Sequence, residues 1–375
     1  MSLLSCKPFS AWLAALACLL AAPAGAVPIT YDMVTVGNPG NANNPAASGI
    51  YGGVAYDYYG GVAYDYQIGK YDVTIGQYTA FLNAVAATDT YSLYNSSMRT
   101  NGYIAGISRT GKSGHYAYSV LGSADRPITY VSWWDSARFS NWMANGQPSG
   151  VQNSTTTENG AYNVNGATSG GAVAKNAANP NTGAAPTFYI PTENEWYKAA
   201  YYSPNYGGAG VGGYYAYATQ SDRAPGNVVG SEANQANYYN GVLSVTQLNE
   251  FDDNQTYLTD VGAFTNSGSF YGTFDQIGNV WQWNDLDGAP GSSRGYRGSS
   301  WYDNLAAFYM SSYSSTALSD PSLEEDFLGF RLASPVRVLS SGHSGVPEID
   351  PNGLSAVLGL LAAGLGLLER RRYGR

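Results

Sequence analysis

Residues 275–283 read Asp275-Gln276-Ile277-Gly278-Asn279-Val280-Trp281-Gln282-Trp283. Gly278 permits a backbone turn closed to other residues. Trp281 and Trp283 are large apolar groups able to hold a loop-rich body together. Similar islands lie on either side. Downstream are Arg297-Gly298-Ser299-Ser300-Trp301 and Gly329-Phe330-Arg331-Leu332-Ala333. Upstream are Ile190-Pro191-Thr192-Glu193-Asn194-Glu195-Trp196, the stretch 127–135 ending in Ser132-Trp133-Trp134-Asp135, and the stretch 68–74 from Ile68 to Thr74. Trp133, Trp196 and Trp301 add to the same apolar set, and Gly298 is a second turn glycine.

Three of these islands open helices. Thr74–Gln77 is a capping box, and Tyr78, Phe81 and Leu82 follow at helical spacing. Ser132–Asp135 has the same form with Asp in the last place and leads a helix through Trp142. Thr192–Glu195 leads Trp196, Ala199 and Ala200. The octapeptide 51–58 is repeated without change as 59–66. One copy reads as strand entering the domain and the other as an insertion. The alternation Val62, Tyr64, Tyr66, Ile68 fits a half-buried strand. Residues 37–50 read as a loose leader, and 145–185 and 203–215, rich in small polar residues and Gly, as long surface loops. No linker separates two folded domains. The expected order is a leader over 27–64 and one irregular α+β domain over 65–335, with few short helices, short strands and long loops.

In this order the six islands resemble the formylglycine-generating enzyme (sulfatase-modifying factor) domain, an irregular α+β fold related to C-type lectins. The resemblance implies chemistry that this chain lacks. Enzymes of the family oxidise a substrate cysteine with copper held by two cysteines, whose positions fall here on Asp303 and Phe308. Neither supplies the sulfur that Cu(I) needs. The only cysteines are Cys6 and Cys18, so no copper is expected. A related branch uses iron held by three histidines, and this chain has only His115 and His343. Asp252, Asp253, Glu324, Glu325 and Asp326 remain as acids for a carboxylate-pair hydrolase, or as loop acids and calcium ligands.

Calcium is the cofactor the resemblance implies. One set would be Asn237, the carbonyl of Tyr238, Asp253 and the carbonyl of Gln255. The other would be Asp275, the carbonyls of Gly278 and Val280, and Gln282. Carboxylates, amides and carbonyls are the oxygen donors calcium takes. Tyr302, Asp303, Asn304, Tyr309 and Tyr313 fall where the family's groove lies and are the expected ligand contacts. Arg331 stands either with them or as a structural arginine paired in forked geometry to buried acceptors.

The ends carry addresses. Lys7, the apolar run Trp12–Ala22 and Ala24-Gly25-Ala26 form a signal peptide over 1–26. Both cysteines lie inside it, so the mature body has none. Residues 336–347 read as a stalk. Over 348–375, Glu348-Ile349-Asp350-Pro351, an apolar segment at 354–368 and Arg370-Arg371-Arg372 resemble a PEP-CTERM sorting tail. That resemblance implies transient membrane anchoring, removal by a sorting protease, and release to the cell surface or extracellular matrix. A plain C-terminal anchor is the alternative. The net charge of −9 speaks against nucleic acid as partner. Charged residues make up only 12 % of the chain against 33 tyrosines, so its polar surface is built largely from Tyr, Asn, Ser, Thr and Gly. That composition suits adaptable recognition. The leading expectation is a non-catalytic binding module for extracellular polysaccharide or a surface protein. The other is an enzyme of the family working by different chemistry.

Overall fold

A computed structural model describes residues 28–47, 49–51, 54–56, 59–304, 310–313 and 316–336. The signal peptide, the sorting tail with its apolar segment, most of the stalk, Phe308 and Tyr309 lie outside them. No helix among the described residues is long and apolar enough to cross a membrane.

The chain opens with β1 (Met33–Val36), then β2 (Gly49–Tyr51) and β3 (Val54–Tyr56), which pair with each other. β4 (Tyr66–Gly69) follows, then α1 (Ile75–Val85), α2 (Ser97–Thr100), and a hairpin of β5 (Ile107–Thr110) and β6 (Ala117–Val120). Next come α3 (Trp133–Ala144), α4 (Glu193–Tyr201), and the short pair β7 (Tyr202–Ser203) and β8 (Gly213–Tyr214). The last part holds β9 (Trp281–Asn284), β10 (Arg294–Arg297), β11 (Ala317–Ser319), β12 (Leu328–Phe330) and β13 (Ala333–Pro335). The fold is mixed α+β, as its sequence indicated.

All three expected capping boxes form. Thr74, Ser132 and Thr192 each accept from the amide three residues on, and Gln77, Asp135 and Glu195 reach back to the cap amide. These bonds satisfy N–H groups that a helix start leaves without intrahelical partners. α3 runs two residues past Trp142, to Ala144.

Two expectations need correction. The strand over 62–68 begins only at Tyr66, and Tyr64 stands half exposed outside it. The reading missed β1, which enters the sheet antiparallel to β4 with Val34 opposite Ile68. The stretch 145–185 is irregular, yet much of it is not surface. Thr157, Ala161, Tyr162 and Val164 are buried against α3. α3 is buried on every side because this segment covers its polar face. Asn141 donates to the carbonyls of Thr157 and Tyr162 at 2.7 and 2.9 Å. Arg138 grips Glu158 through two bonds of 2.8 and 2.9 Å.

The site-bearing sheet runs β11-β10-β9-β12, with β12 parallel to β9. β9 is buried at all four positions, as expected of a strand covered on both faces. Phe330 of β12 packs edge-on against Phe139 of α3, which meets Phe81 of α1 in the same way. Gly329 cannot change, because a Cβ there would lie 2.6 Å from the Ile128 carbonyl.

Burial raises Asp135 to about 6 and Glu324 to about 7, each also lifted by nearby carboxylates. Between the ordinary carboxylate value and these, the folded state holds more protons than the unfolded chain. Stability from these groups is therefore present at low pH and lost as pH rises through about 6 to 7. Urea denaturation should give a lower unfolding free energy at about pH 8 than at about pH 5. Glu324→Gln, which can keep the 2.6 Å bond from Asn95, should flatten that slope; an unchanged slope would remove Glu324 from the account.

Candidate functional site

The turn after β10 carries the site. Gly298 and Ser299 both take positive φ, at 110° and 67°. The chain then passes Ser300 and Trp301 to reach Tyr302 and Asp303. Asp303 Oδ2 gathers four donors: Trp281 Nε1, Ser300 N and Ser300 Oγ at 2.8 Å, and Ser299 Oγ at 3.2 Å. Its carbonyl accepts from Tyr239 N. Asp303 thus locks the loop to β9, and its Oδ1 has no hydrogen-bond partner among the described residues.

The locked loop holds an aromatic wall. Trp301 stacks on Tyr257 with centroids 5.3 Å apart and planes 10° off parallel. Phe251 touches Tyr103, Tyr257, Trp301 and Tyr302. Tyr302 is 60 % exposed and Phe251 41 % exposed, so two large rings face water beside a packed pair. Two cavities open there. One, of about 420 Å³, is lined by Tyr103, Phe251, Trp301, Tyr302, Asp303, Asp326 and Phe327, with Ser300. The other, of about 290 Å³, shares Phe251, Tyr302 and Asp303 and adds Tyr239, Asn249 and Asn304. Burial raises Asp326 above the ordinary carboxylate range. A larger hollow of about 630 Å³ lies elsewhere, lined by Pro28–Asp32 and the start of α1. It has no comparable aromatic face.

Of the expected ligand residues, Tyr302, Asp303 and Asn304 meet at this cleft. Tyr313 is exposed but lines neither cavity. Arg331 is fully buried and does not face the cleft. Its Nε donates to Gln282 Oε1 at 2.7 Å, Nη1 to the Gly69 carbonyl at 2.9 Å, and Nη2 to the Phe274 carbonyl and Asp72 at 2.8 and 3.1 Å. A guanidinium whose forked donors all end on protein acceptors is a structural group.

The calcium sets take two forms. Gln282 Oε1 accepts from Trp196 Nε1 and Arg331 Nε, both at 2.7 Å, and Gln282 Nε2 donates to the Asp275 carbonyl at 2.5 Å. Asp275 Oδ2 accepts from Gly262 N at 2.6 Å. Gly278, with φ 74°, brings its backbone against the Asn237 carbonyl, and Val280 is buried. An amide oxygen already holding two donors, one of them cationic, does not fit a divalent ion in this arrangement. In the other set, Asn237 donates to the Tyr257 carbonyl and to Asn279. The Tyr238 carbonyl accepts from Asn227 and Ser244. Asp253 is exposed and takes the Tyr103 hydroxyl at 2.7 Å, and Gln255 N donates to the Asp252 carbonyl. Asp253 Oδ2 is uncommitted among the described residues, so this set keeps an open carboxylate oxygen of the kind calcium takes. Among the described residues, no three His, Cys, Asp or Glu side chains converge on a possible metal position.

Residues 61–336 match the model of the sulfatase-modifying factor enzyme 1-like domain. The chain belongs to that family. Among solved structures the chain is similar to CarF, at 19 % identity and TM-score 0.42 over 82 % of this chain and 99 % of that one. Treponema denticola variable protein 1 gives 18 % and 0.41 over 83 % and 97 %. PvdO from Pseudomonas aeruginosa gives 18 % and 0.40 over 82 % and 92 %. No curated protein matches. Asp303 uses its carboxylate to tie the loop down.

Sequence reasoning missed Tyr103, Tyr239, Asn249, Phe251 and Phe327 as cleft residues, and offered Asp326 as a hydrolase acid, loop acid or calcium ligand but not as a cleft residue. The signal available was the pair Phe251 and Asp253, a bulky aromatic beside acids in a polar loop. Arg331→Lys should destabilise the fold by about 3 kcal/mol or more in chemical denaturation, since an ammonium cannot reach all four acceptors. Near-wild-type stability would make the forked network dispensable.

Proposed function

We propose that this chain is an exported, non-catalytic binding module, and that the cleft around Tyr302 takes an extracellular polysaccharide. The observation that carries the reading is the pair of exposed rings, Tyr302 and Phe251, beside the carboxylates of Asp303 and Asp326, with Tyr302 on a turn tied by four hydrogen bonds to Asp303. Flat aromatic faces beside amides and carboxylates match the apolar faces and hydroxyl edges of sugar rings. Chemistry of the family's copper type has no support here, because no cysteine follows Cys18. A surface protein is the second occupant the same cleft would suit.

Export, a transient membrane anchor at 354–368 and a sorting protease acting on the tail belong to the same proposal. They rest on the sequence of the two ends. Calcium belongs to it as well: Asp253, with Asn237 and the Gln255 carbonyl, would hold the ion and order the loop carrying Phe251, while the Tyr238 carbonyl already accepts from Asn227 and Ser244.

Retention of residues 27–345 on the producing cell's own extracellular polymer tests the main claim. The wild type should be retained, and Phe251→Ala with Tyr302→Ala should weaken binding at least about tenfold in protein that still unfolds cooperatively. Equal retention of the double variant would place the ligand elsewhere. For calcium, melting should shift upward on titration of the ion and return with a chelator, and Asp253→Asn should abolish the shift. No shift in the wild type would remove calcium from the proposal.

A further inference from the structure

The chemistry lining the cleft is uneven in sign. Asp303 and Asp326 line it, and Asp253 hangs from the Tyr103 hydroxyl at its edge. No lysine, arginine or histidine lines either cavity. Elsewhere the protein places its own cations over aromatic faces. Arg109 lies over Tyr94 and Tyr116, Arg138 over Tyr91, Arg294 over Trp133 and Lys175 over Tyr189. Tyr103, Phe251, Trp301, Tyr302 and Phe327 have no such partner among the described residues. An aromatic wall with acids beside it and no internal cation attracts a positive charge from outside. A uronate or phosphate polymer would meet repulsion from the same carboxylates.

A second observation points to a ligand. Trp301 is 4 % exposed and lines the larger cavity, and its Nε1 is buried with no hydrogen-bond partner. An indole N–H left so is costly, and a ligand oxygen would satisfy it. The adjoining cavity offers Asn249, Asn304 and the face of Tyr302, which suit hydroxyls and a neutral ring. Together the two cavities accommodate successive rings of a chain: one bearing the charge against Asp303 and Asp326, the next held by amides.

We propose that the cleft recognises an amino-sugar residue with a free ammonium group within a polysaccharide. This rests on the reading of the cleft as a glycan site and narrows it to one class. The ammonium sits between the aromatic wall and the two carboxylates, and a ring or hydroxyl oxygen accepts from Trp301 Nε1.

The test uses the full chain in mild detergent and calorimetric titration with three oligosaccharides of equal length: a glucosamine oligomer, its fully N-acetylated form and a neutral glucan. A lysine-rich peptide is run beside them. The glucosamine oligomer should bind at least about tenfold tighter than either uncharged oligomer, and added salt should weaken it. Asp326→Asn should remove most of that preference. Tyr302→Ala, at an exposed position, should weaken all three sugars. Equal affinity for charged and neutral oligomers would overturn the ammonium proposal and leave the glycan-binding module standing. Binding of the lysine-rich peptide alone would overturn it in favour of a protein partner. Binding of none of the four would sink both readings of the cleft.

Discussion

A guanidinium with no access to water organises this fold. Arg331 ties the end of β12 to β9 through Gln282, to the end of β4 through Gly69, and to the segments carrying Asp72 and Phe274. Taking a charge out of water costs several kcal/mol. The cost is offset by hydrogen bonds to buried acceptors, and here four N–H groups are taken up by Gly69 and the nearby Asp72, by the Phe274 carbonyl and by Gln282 of β9. The two sheets are joined where these parts meet. Three more arginines repeat the pattern: Arg138 with Glu158, Arg294 with Asp285, and Arg297 with Glu193 are all buried. A chain with so few charged residues spends many of its arginines inside, which leaves the surface to tyrosines and amides.

The cleft follows from that frame. Gln282 is held from one side by Trp196 and Arg331, so β9 is anchored in register with β10 and β12. Its neighbour Trp281 then presents an indole N–H to Asp303. Four donors on one carboxylate oxygen hold the turn from Ser299 to Asp303. Tyr302 projects because its neighbours on both sides are tied down, Trp301 in the aromatic stack and Asp303 in the hydrogen-bond cluster. Its exposure is thus built into the fold. The cleft beside this anchor is lined by rings and carboxylates.

What could be read along the chain was local. The three capping boxes formed because each needs only four consecutive residues and satisfies its own backbone amides. The tryptophans at 133, 196, 281, 283 and 301 are buried as their size required. The glycines at 278 and 298 take the backbone angles only glycine adopts freely. The six islands in order identified the family, and the missing cysteines were visible by inspection. The alternation at 62–68 failed as a strand because a two-residue period describes which side chains are covered, not which backbone groups pair. Pairing began only at Tyr66, where β1 and β13 meet β4.

Composition and short-range pattern therefore determined the family and the helix starts. The cleft was decided only by tertiary structure. Tyr103, Phe251 and Trp301 come from stretches roughly 50 to 150 residues apart, and no periodicity links them. The same holds for the burial of α3, whose Arg138 and Asn141 meet a stretch with no regular pattern. The irregular segment that follows α3 folds back over it and supplies the partners of Arg138 and Asn141, while Ser136 and Ser140 bond to the helix's own carbonyls; a polar face is buried only when such partners are at hand.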